Sequence, residues 1–295
     1  MNAFGISVVI PTARTDPGTY DNLSSIARSL DALDRPKELV IAVDRKIGDA
    51  DFLRILAAEF SFVSLLQGEI RKGSARTRLE ALRAARYEVI LFTDDDCVVP
   101  VNWAERMYEE VMRFGAVAGN LKSLQPENAY AAVDAYVDQL RIRSTDEDGN
   151  AKYISFPNFG ILRQHLPSEP FFASRLNTTE DIELACQLHL AEVPIRFDEN
   201  IMVETEYPPT FKGLIRRKMK HAMGIAFLRM RLGPEHSRRV GLAETSVVML
   251  YRWVRLSFQA SLPVSQRLCM LVANIAYCAT LAYYDIAFRF NRPRR

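Results

Sequence analysis

The run Val89-Ile90-Leu91-Phe92-Thr93-Asp94-Asp95-Asp96 decides how this chain is read. Four apolar, β-prone residues lead abruptly into three carboxylates. Adjacent like charges repel, so a compensating positive charge is expected beside them. At the carboxyl end of a buried strand that charge is often a hard divalent cation with oxygen ligands. In open α/β sheets the same edge is where ligands bind. Asp94 and Asp96, one residue apart at a strand-to-loop turn, can face one cavity and hold Mg²⁺ or Mn²⁺ with positions left for substrate phosphates. Such a site suits a reaction that expels a diphosphate. Taken alone, the triplet also reads as a solvated acidic turn.

Outward from this point the pattern is strand and helix in alternation. Residues 6–10 read as a buried strand stopped by Pro11-Thr12, 20–33 as a helix, and 38–43 as a second strand ending at Asp44. A helix over 52–60, a strand over 62–66 and a helix opened by Gly73 lead to the triplet. A helix over 101–114 and a short strand over 116–118 follow it. This order implies an α/β fold with a mostly parallel, doubly wound sheet flanked by helices. Beyond residue 120 the pattern is mixed: a helix over 128–141, a polar loop over 146–150, a helix over 179–192, and strand-like pieces over 195–197 and 201–203. After the break at Pro208-Pro209 the chain reads as helical, apart from a link near Pro263. The expected organisation is one α/β domain in two halves, 1–120 and 121–210, followed by a helical C-terminal region over 211–295.

The bulk composition is globular: 48% hydrophobic and 25% charged over 295 residues. A formal net charge of +2 gives no general nucleic-acid footprint. The charge is uneven, with nine Lys or Arg against one acid, Glu235, over 211–239, and arginines at 289, 292, 294 and 295. That bias suggests phosphates or an acidic membrane surface as partners. Cys97, Cys186, Cys269 and Cys278 form no CxxC pair and no zinc spacing, and read as reduced, mostly buried thiols of a cytosol-facing protein. The start of the sequence lacks a basic n-region and does not read as a signal peptide. Nothing in the sequence sets an oligomeric state.

Other segments carry chemistry with an ordinary structural alternative beside it. Asp44, at a strand end, can accept a hydrogen bond from a base imide or ribose hydroxyl, or be a turn Asp. Gly73-Ser74-Ala75-Arg76 opens a helix whose amino terminus favours anions, with Arg76 facing a nucleotide or Arg76 and Arg78 both solvated. Thr178-Thr179-Glu180-Asp181 has the composition of an N-capped helix start; its functional reading makes Asp181 a general base, held ionised by the helix terminus. The aromatic loop 156–160, with Asn158, can line an acceptor site or be a packed turn, and 171–178 is a second acceptor-side loop. Residues 211–232 have helical apolar periodicity, including Phe211, Leu214 and Met219, and a basic opposite face of Arg216, Arg217, Lys218 and Lys220 suited to pyrophosphate or an anionic head group.

In this order the segments resemble family 2 glycosyltransferases of the GT-A fold. Residues 8–12, with Pro11 and Thr12, look like that family's first strand and nucleotide-binding turn. Residues 40–44 look like the second strand, whose Asp contacts the base. Residues 73–76 look like the Gly-x-Ala-Arg helix, with Thr77 where Asn usually follows. Asp94-Asp95-Asp96 matches the metal-binding Asp-x-Asp, residues 100–103 resemble the Pro-x-x-Trp that often trails it, and Glu180-Asp181 matches the motif whose Asp is the base. The resemblance implies inverting transfer from a nucleotide-diphosphate sugar, most simply UDP-linked, to a glycan or lipid-linked hydroxyl. Asp181 would be the base, Asp94 and Asp96 would hold the metal, and Pro11, Thr12, Asp44, Gly73, Arg76, Asp94 and Asp95 would hold the donor.

Two departures stand out. Where the family often has a metal-contacting His, this chain has Val203-Glu204-Thr205-Glu206. Where processive members have Gln-x-x-Arg-Trp, it has Arg217-Lys218-Met219-Lys220-His221. The second departure, with the lack of several membrane spans, argues against a polysaccharide synthase. Two rivals are a non-catalytic membrane-surface binding protein of the same fold, and a sugar-1-phosphate nucleotidyltransferase. The latter would want a Gly-rich loop after the first strand, where residues 11–16 have none. Residues 268–288 are apolar and long enough to cross a bilayer, and 247–258 read as an amphipathic helix. Attachment to the cytoplasmic face of a membrane, peripheral or single-pass, is therefore expected over a soluble helical hairpin.

Overall fold

In the computed structural model, which describes residues 4–14, 16, 18–44, 51–167 and 178–290, the sheet is built around β1 (Ile6–Thr12), buried along its whole length. β1 runs parallel to β2 (Lys37–Val43) on one side and β4 (Val89–Phe92) on the other, and β3 (Val63–Gln67) continues the parallel side beyond β2. Near-continuous apolar runs suit these strands because helices cover both faces. The connecting helices are α1 (Gly18–Asp31), α2 (Asp51–Glu59) and α3 (Ser74–Ala84). Pairing of β1 with β4 ends at Val9 opposite Phe92. Carried on in the same register, Thr12 comes level with Asp95, so the triplet leaves the sheet beside the β1 turn. Pro11 lies past the last β4 pair, where its missing N–H costs no ladder bond to that strand.

After the triplet the sheet changes character. The elements are β5 (Cys97–Val98), α4 (Trp103–Phe114), β6 (Ala116–Ser123), α5 (Ala129–Ile142), β7 (Phe159–Leu162), α6 (Glu180–Leu190) and β8 (Arg196–Thr205). β7 is antiparallel to β4 and to β6, and β5 to β8. The eight strands lie in the order β3-β2-β1-β4-β7-β6-β8-β5. The sheet is therefore mixed, with its parallel part before the triplet and its antiparallel part after it. β7 falls in the stretch that reads as an aromatic loop. Its Gly160 lets α4 approach, since a Cβ there would stand 2.6 Å from Val111 Cγ2. β8 is one ten-residue strand where the sequence shows two short pieces.

The chain divides into two compact units, Met1–Lys122 with Gln139–Thr205, and Ser123–Asp138 with Glu206–Arg295. The first holds the sheet, with Leu23, Ile26, Leu30 and Ile41 in the core on one face and Phe92, Phe156, Phe159 and Leu184 on the other. The second is helical: α7 (Phe211–Arg239), α8 (Ser246–Gln259), α9 (Val264–Phe290) and the first part of α5. Thr210 and Thr245 cap α7 and α8 by accepting from Gly213 N and Val248 N. Gly233 (φ 73°) interrupts α7 just before Pro234, a Gly-Pro break that no regular helix tolerates. Phe211 and Met219, read as part of an apolar stripe, are exposed.

Candidate active site

The three aspartates after β4 meet two arginines, Asp94 at Arg78 and both Asp95 and Asp96 at Arg14. Asp94 accepts from Arg78 Nη2. Asp95 is buried; its Oδ2 accepts from Thr12 Oγ1 at 2.5 Å and its Oδ1 lies 3.4 Å from Arg14 Nε. Asp96 lies 3.3 Å from Arg14 Nη2 and accepts from Thr205 Oγ1 at 3.3 Å. Burial, and next the neighbouring Asp96 carboxylate, push Asp95 up to about 7, against the pull of Thr12 and Arg14.

Arg78 joins this edge to the acidic helix start. Its side chain is only 3% exposed; Nη1 donates to Glu180 Oε1 at 3.0 Å while Nη2 donates to Asp94. The guanidinium carbon lies 4.4 Å from the centre of the Phe156 ring, a cation–π contact. Ser74 Oγ adds a 2.9 Å bond to Glu180 Oε1. Glu180, first residue of α6, is thus fixed to α3 and to Asp94, and Asp181 follows it directly.

Asp181 is half-buried, and its Oδ1 accepts from Ile182 N at 2.8 Å. Burial raises it to about 6, with Glu180 pushing the same way, and Arg141 and Arg78 opposing. Desolvation is the largest influence on this carboxyl and outweighs the two arginines and the Ile182 N–H. Thr179 does not cap α6 with its side chain. Its hydroxyl donates to Thr178 O, and its backbone sits in the left-handed region (φ 62°, ψ 17°), a strained position for a β-branched residue.

Asp44 is committed to α3. Its Oδ1 accepts from Lys72 N (2.7 Å), Gly73 N (2.7 Å) and Thr77 Oγ1 (2.9 Å), and its Oδ2 lies 3.8 Å from the exposed Arg71. Thr77, standing where the family pattern has Asn, closes this net, and Gly73 takes φ 87° to open the helix. Arg76 is exposed. The α3 cation that reaches the aspartates is Arg78, which the sequence reads as solvated.

Other candidates are held elsewhere. Asn158 is fully buried; its Oδ1 accepts from Trp103 Nε1 (3.0 Å) and its Nδ2 donates to Asn120 O (2.9 Å) and Ile201 O (2.8 Å). It is a cross-brace between α4, β6 and β8, and Gly119 makes room for it, since a Cβ there would stand 2.2 Å from Asn158 Nδ2. In the helical unit, Arg217 pairs with Asp134 (3.0 Å) and Asp138 (2.9 Å), and the buried Lys218 pairs with Asp134 (2.6 Å). Of the expected basic face only Lys218 therefore turns inward, and Arg216, Arg217 and Lys220 are exposed. The His221 ring packs on Tyr277, centroids 5.8 Å apart. Residues 171–177 and the arginines at 292, 294 and 295 lie outside the described residues.

The donor set near the triplet fits a hard divalent cation. Asp94 and Asp96 offer carboxylate oxygens on half-buried side chains, beside the Arg78 and Arg14 guanidiniums that already contact them. Among the described residues no group of three or more His, Cys, Asp and Glu forms a metal cage. At the place where the family pattern puts a third ligand, Thr205 touches Asp96, and Glu204 pairs with Lys122 at 2.6 Å.

A family model described as glycosyl transferase family 2 matches residues 7–166, more than half of the chain. The chain belongs to glycosyltransferase family 2. A second model, glycosyl transferase family group 2, matches the transferase over residues 89–291. Among curated proteins it is 24% identical over 234 residues to a poly-β-1,6-N-acetyl-D-glucosamine synthase of Staphylococcus epidermidis, covering 75% of this chain. The transferase spans about half (54%) of that relative's length. Among solved structures it resembles the mannosyltransferase PcManGT of Pyrobaculum calidifontis, in complex with GDP-Man and Mn²⁺ (TM-score 0.61, 17% identity, 97% of this chain and 86% of that one). It also resembles S. aureus TarS 1-349 (TM-score 0.54, 14% identity, 99% and 93%). These likenesses establish the GT-A fold, and family membership makes the chain a glycosyltransferase.

Proposed function

We propose that this transferase moves a sugar, with inversion, from a UDP-linked donor to an acceptor hydroxyl on a glycan or lipid-linked glycan at the cytoplasmic face of a membrane. The observation that carries the reading is Arg78, whose guanidinium ties Asp94 to Glu180 and so brings the triplet and the Glu180-Asp181 helix start together. Asp181 takes the acceptor proton as the hydroxyl oxygen attacks the anomeric carbon and the nucleoside diphosphate departs. A carboxyl near 6 suits this role, being mostly ionised at neutral pH and still basic enough to accept a proton. Asp94 and Asp96 would hold Mg²⁺ or Mn²⁺, which supplies positive charge to the leaving diphosphate when bound. Thr12 and Arg14 fix Asp95 and Asp96 at the donor edge. A structural neighbour bound to UDP and another bound to GDP-Man and Mn²⁺ support the donor class, and the synthase relative supports a surface glycan as product.

The test is a thermal-shift and turnover screen of nucleotide sugars with and without Mn²⁺. One donor should raise the melting temperature in a Mn²⁺-dependent way, because a ligand that binds only the folded state stabilises it by mass action. Asp96→Asn should abolish that dependence. Asp181→Asn should keep the shift and lose turnover. A donor-independent melting curve, or full turnover in Asp181→Asn, refutes the assignment.

A further inference from the structure

The outer face of α9 carries an unbroken apolar row. Val264, Leu268, Val272, Ile275, Tyr283 and Ile286 are 45–69% exposed. They recur at helical steps, with exposed Ala279 filling the one gap. At 1.5 Å per residue the row is roughly 33 Å long. α8 exposes Val247, Val248, Tyr251 and Phe258 as well. Large apolar residues on a soluble surface usually stand singly, and a contiguous set marks an interaction face.

The charges identify the occupant. Arg252, Arg255 and Arg267 lie in these two helices: Arg255 is exposed, Arg252 pairs with Glu244 at 2.7 Å and Arg267 donates to Leu262 O, while the one acid between Ser246 and Phe288, Asp285, is held by Arg229 at 2.8 Å. Apolar rows with arginines and tyrosines, and no uncompensated acid, suit the head-group region of an anionic bilayer. A two-fold pairing of two copies through this face would set the same arginines against one another.

Crossing the bilayer is a separate possibility, since residues 264–288 are long and apolar enough by composition, with mean hydropathy 1.3. The inner face of α9 argues against it. Met270, Ala273, Asn274, Tyr277 and Leu281 are buried, and α9 packs along α7, which carries exposed Lys212, Arg216 and Lys220. Sinking α9 would either strip it from α7 or drag those cations into hydrocarbon. We infer that α9 lies in the plane of an anionic phospholipid surface, seated by Leu268, Val272, Ile275 and Tyr283, and does not span it. This rests on the membrane attachment proposed above and specifies its geometry.

The test is co-sedimentation of the full chain with vesicles of phosphatidylcholine alone or containing phosphatidylglycerol. Binding is expected on the anionic vesicles only, weakened by salt and reversed by alkaline carbonate. Leu268→Glu with Ile275→Glu should lower bound protein at least about tenfold, with the donor-induced melting shift unchanged. Carbonate-resistant binding would overturn the in-plane geometry while keeping attachment. Absence of binding to either vesicle would overturn attachment itself. A dimer by light scattering that the double variant dissolves would assign the face to a second copy.

Discussion

Replacing Arg78 with Met removes the guanidinium and keeps much of the apolar stem over Phe156. Two carboxylates then lose their shared cation. Removing one partner of a buried pair costs about 3–5 kcal/mol. Glu180, 10% exposed, bears most of that loss, softened by the remaining Ser74 hydroxyl bond. The Asp94 side chain is 25% exposed and recovers part of its hydration. The expected cost is therefore near the lower end, about 3 kcal/mol, a large share of the ~5–15 kcal/mol that holds a domain together. With a urea m-value of ~2 kcal/mol/M, the midpoint should fall by about 1.5 M. Trp103, buried in the same unit, reports the transition by fluorescence in a Trp253→Phe background. Arg78→Lys should recover part of the loss, because an ammonium keeps the charge without the two-pronged geometry. Arg78 also lowers the Asp181 pKa, so the acid limb of the Arg78→Met rate profile should move upward. A midpoint within about 0.3 M of wild type, together with an unmoved acid limb, would refute the linking role.

Asp181 must be ionised to accept a proton and is raised to about 6. The rate should thus be full above that value and fall with unit slope as pH drops through it, as a pH–rate profile of the donor-saturated enzyme will show. In the helical unit, Asp134→Ala leaves Lys218 buried without its 2.6 Å partner, while Arg217 keeps Asp138. A loss of about 3 kcal/mol is expected in chemical unfolding followed through Trp253, and Asp134→Ala combined with Lys218→Met should be milder than Asp134→Ala alone.

What the sequence made legible was whatever repeats or punctuates. The apolar runs of β1, β2 and β4, the glycine before α3 and the proline pair before α7 are local signals, and they place the Asp triplet and the Glu180-Asp181 helix start. The expectation of a compensating cation near the triplet finds Arg14 and Arg78 in contact with it. Which arginine would turn inward was not legible. Arg76 and Arg78 are two residues apart, on different sides of one helix, and only the position of α6 decides between them. Asp44 reads equally as a ligand contact or a turn Asp, and its three donors come from residues 72–77, which local sequence around Asp44 does not point to. Asn158 falls in a stretch that reads as an acceptor-site lining or a packed turn, because β7 is four residues long and contains a glycine. The left-handed Thr179 carries no compositional sign at all, since composition suggests an ordinary cap there.

The boundary between the two units runs through the interior of α5, between Asp138 and Gln139. The polypeptide passes from one unit to the other three times, so neither can be obtained alone and whole by a single cut. A fragment ending at Thr205 would still contain Asp134, Val133 and Val137, yet it would have shed Arg217, Lys218 and Leu214, the side chains that neutralise and cover them. Truncation would leave a buried acid bare on a half-covered helix, and the shortened product is expected to aggregate before its chemistry could be assayed.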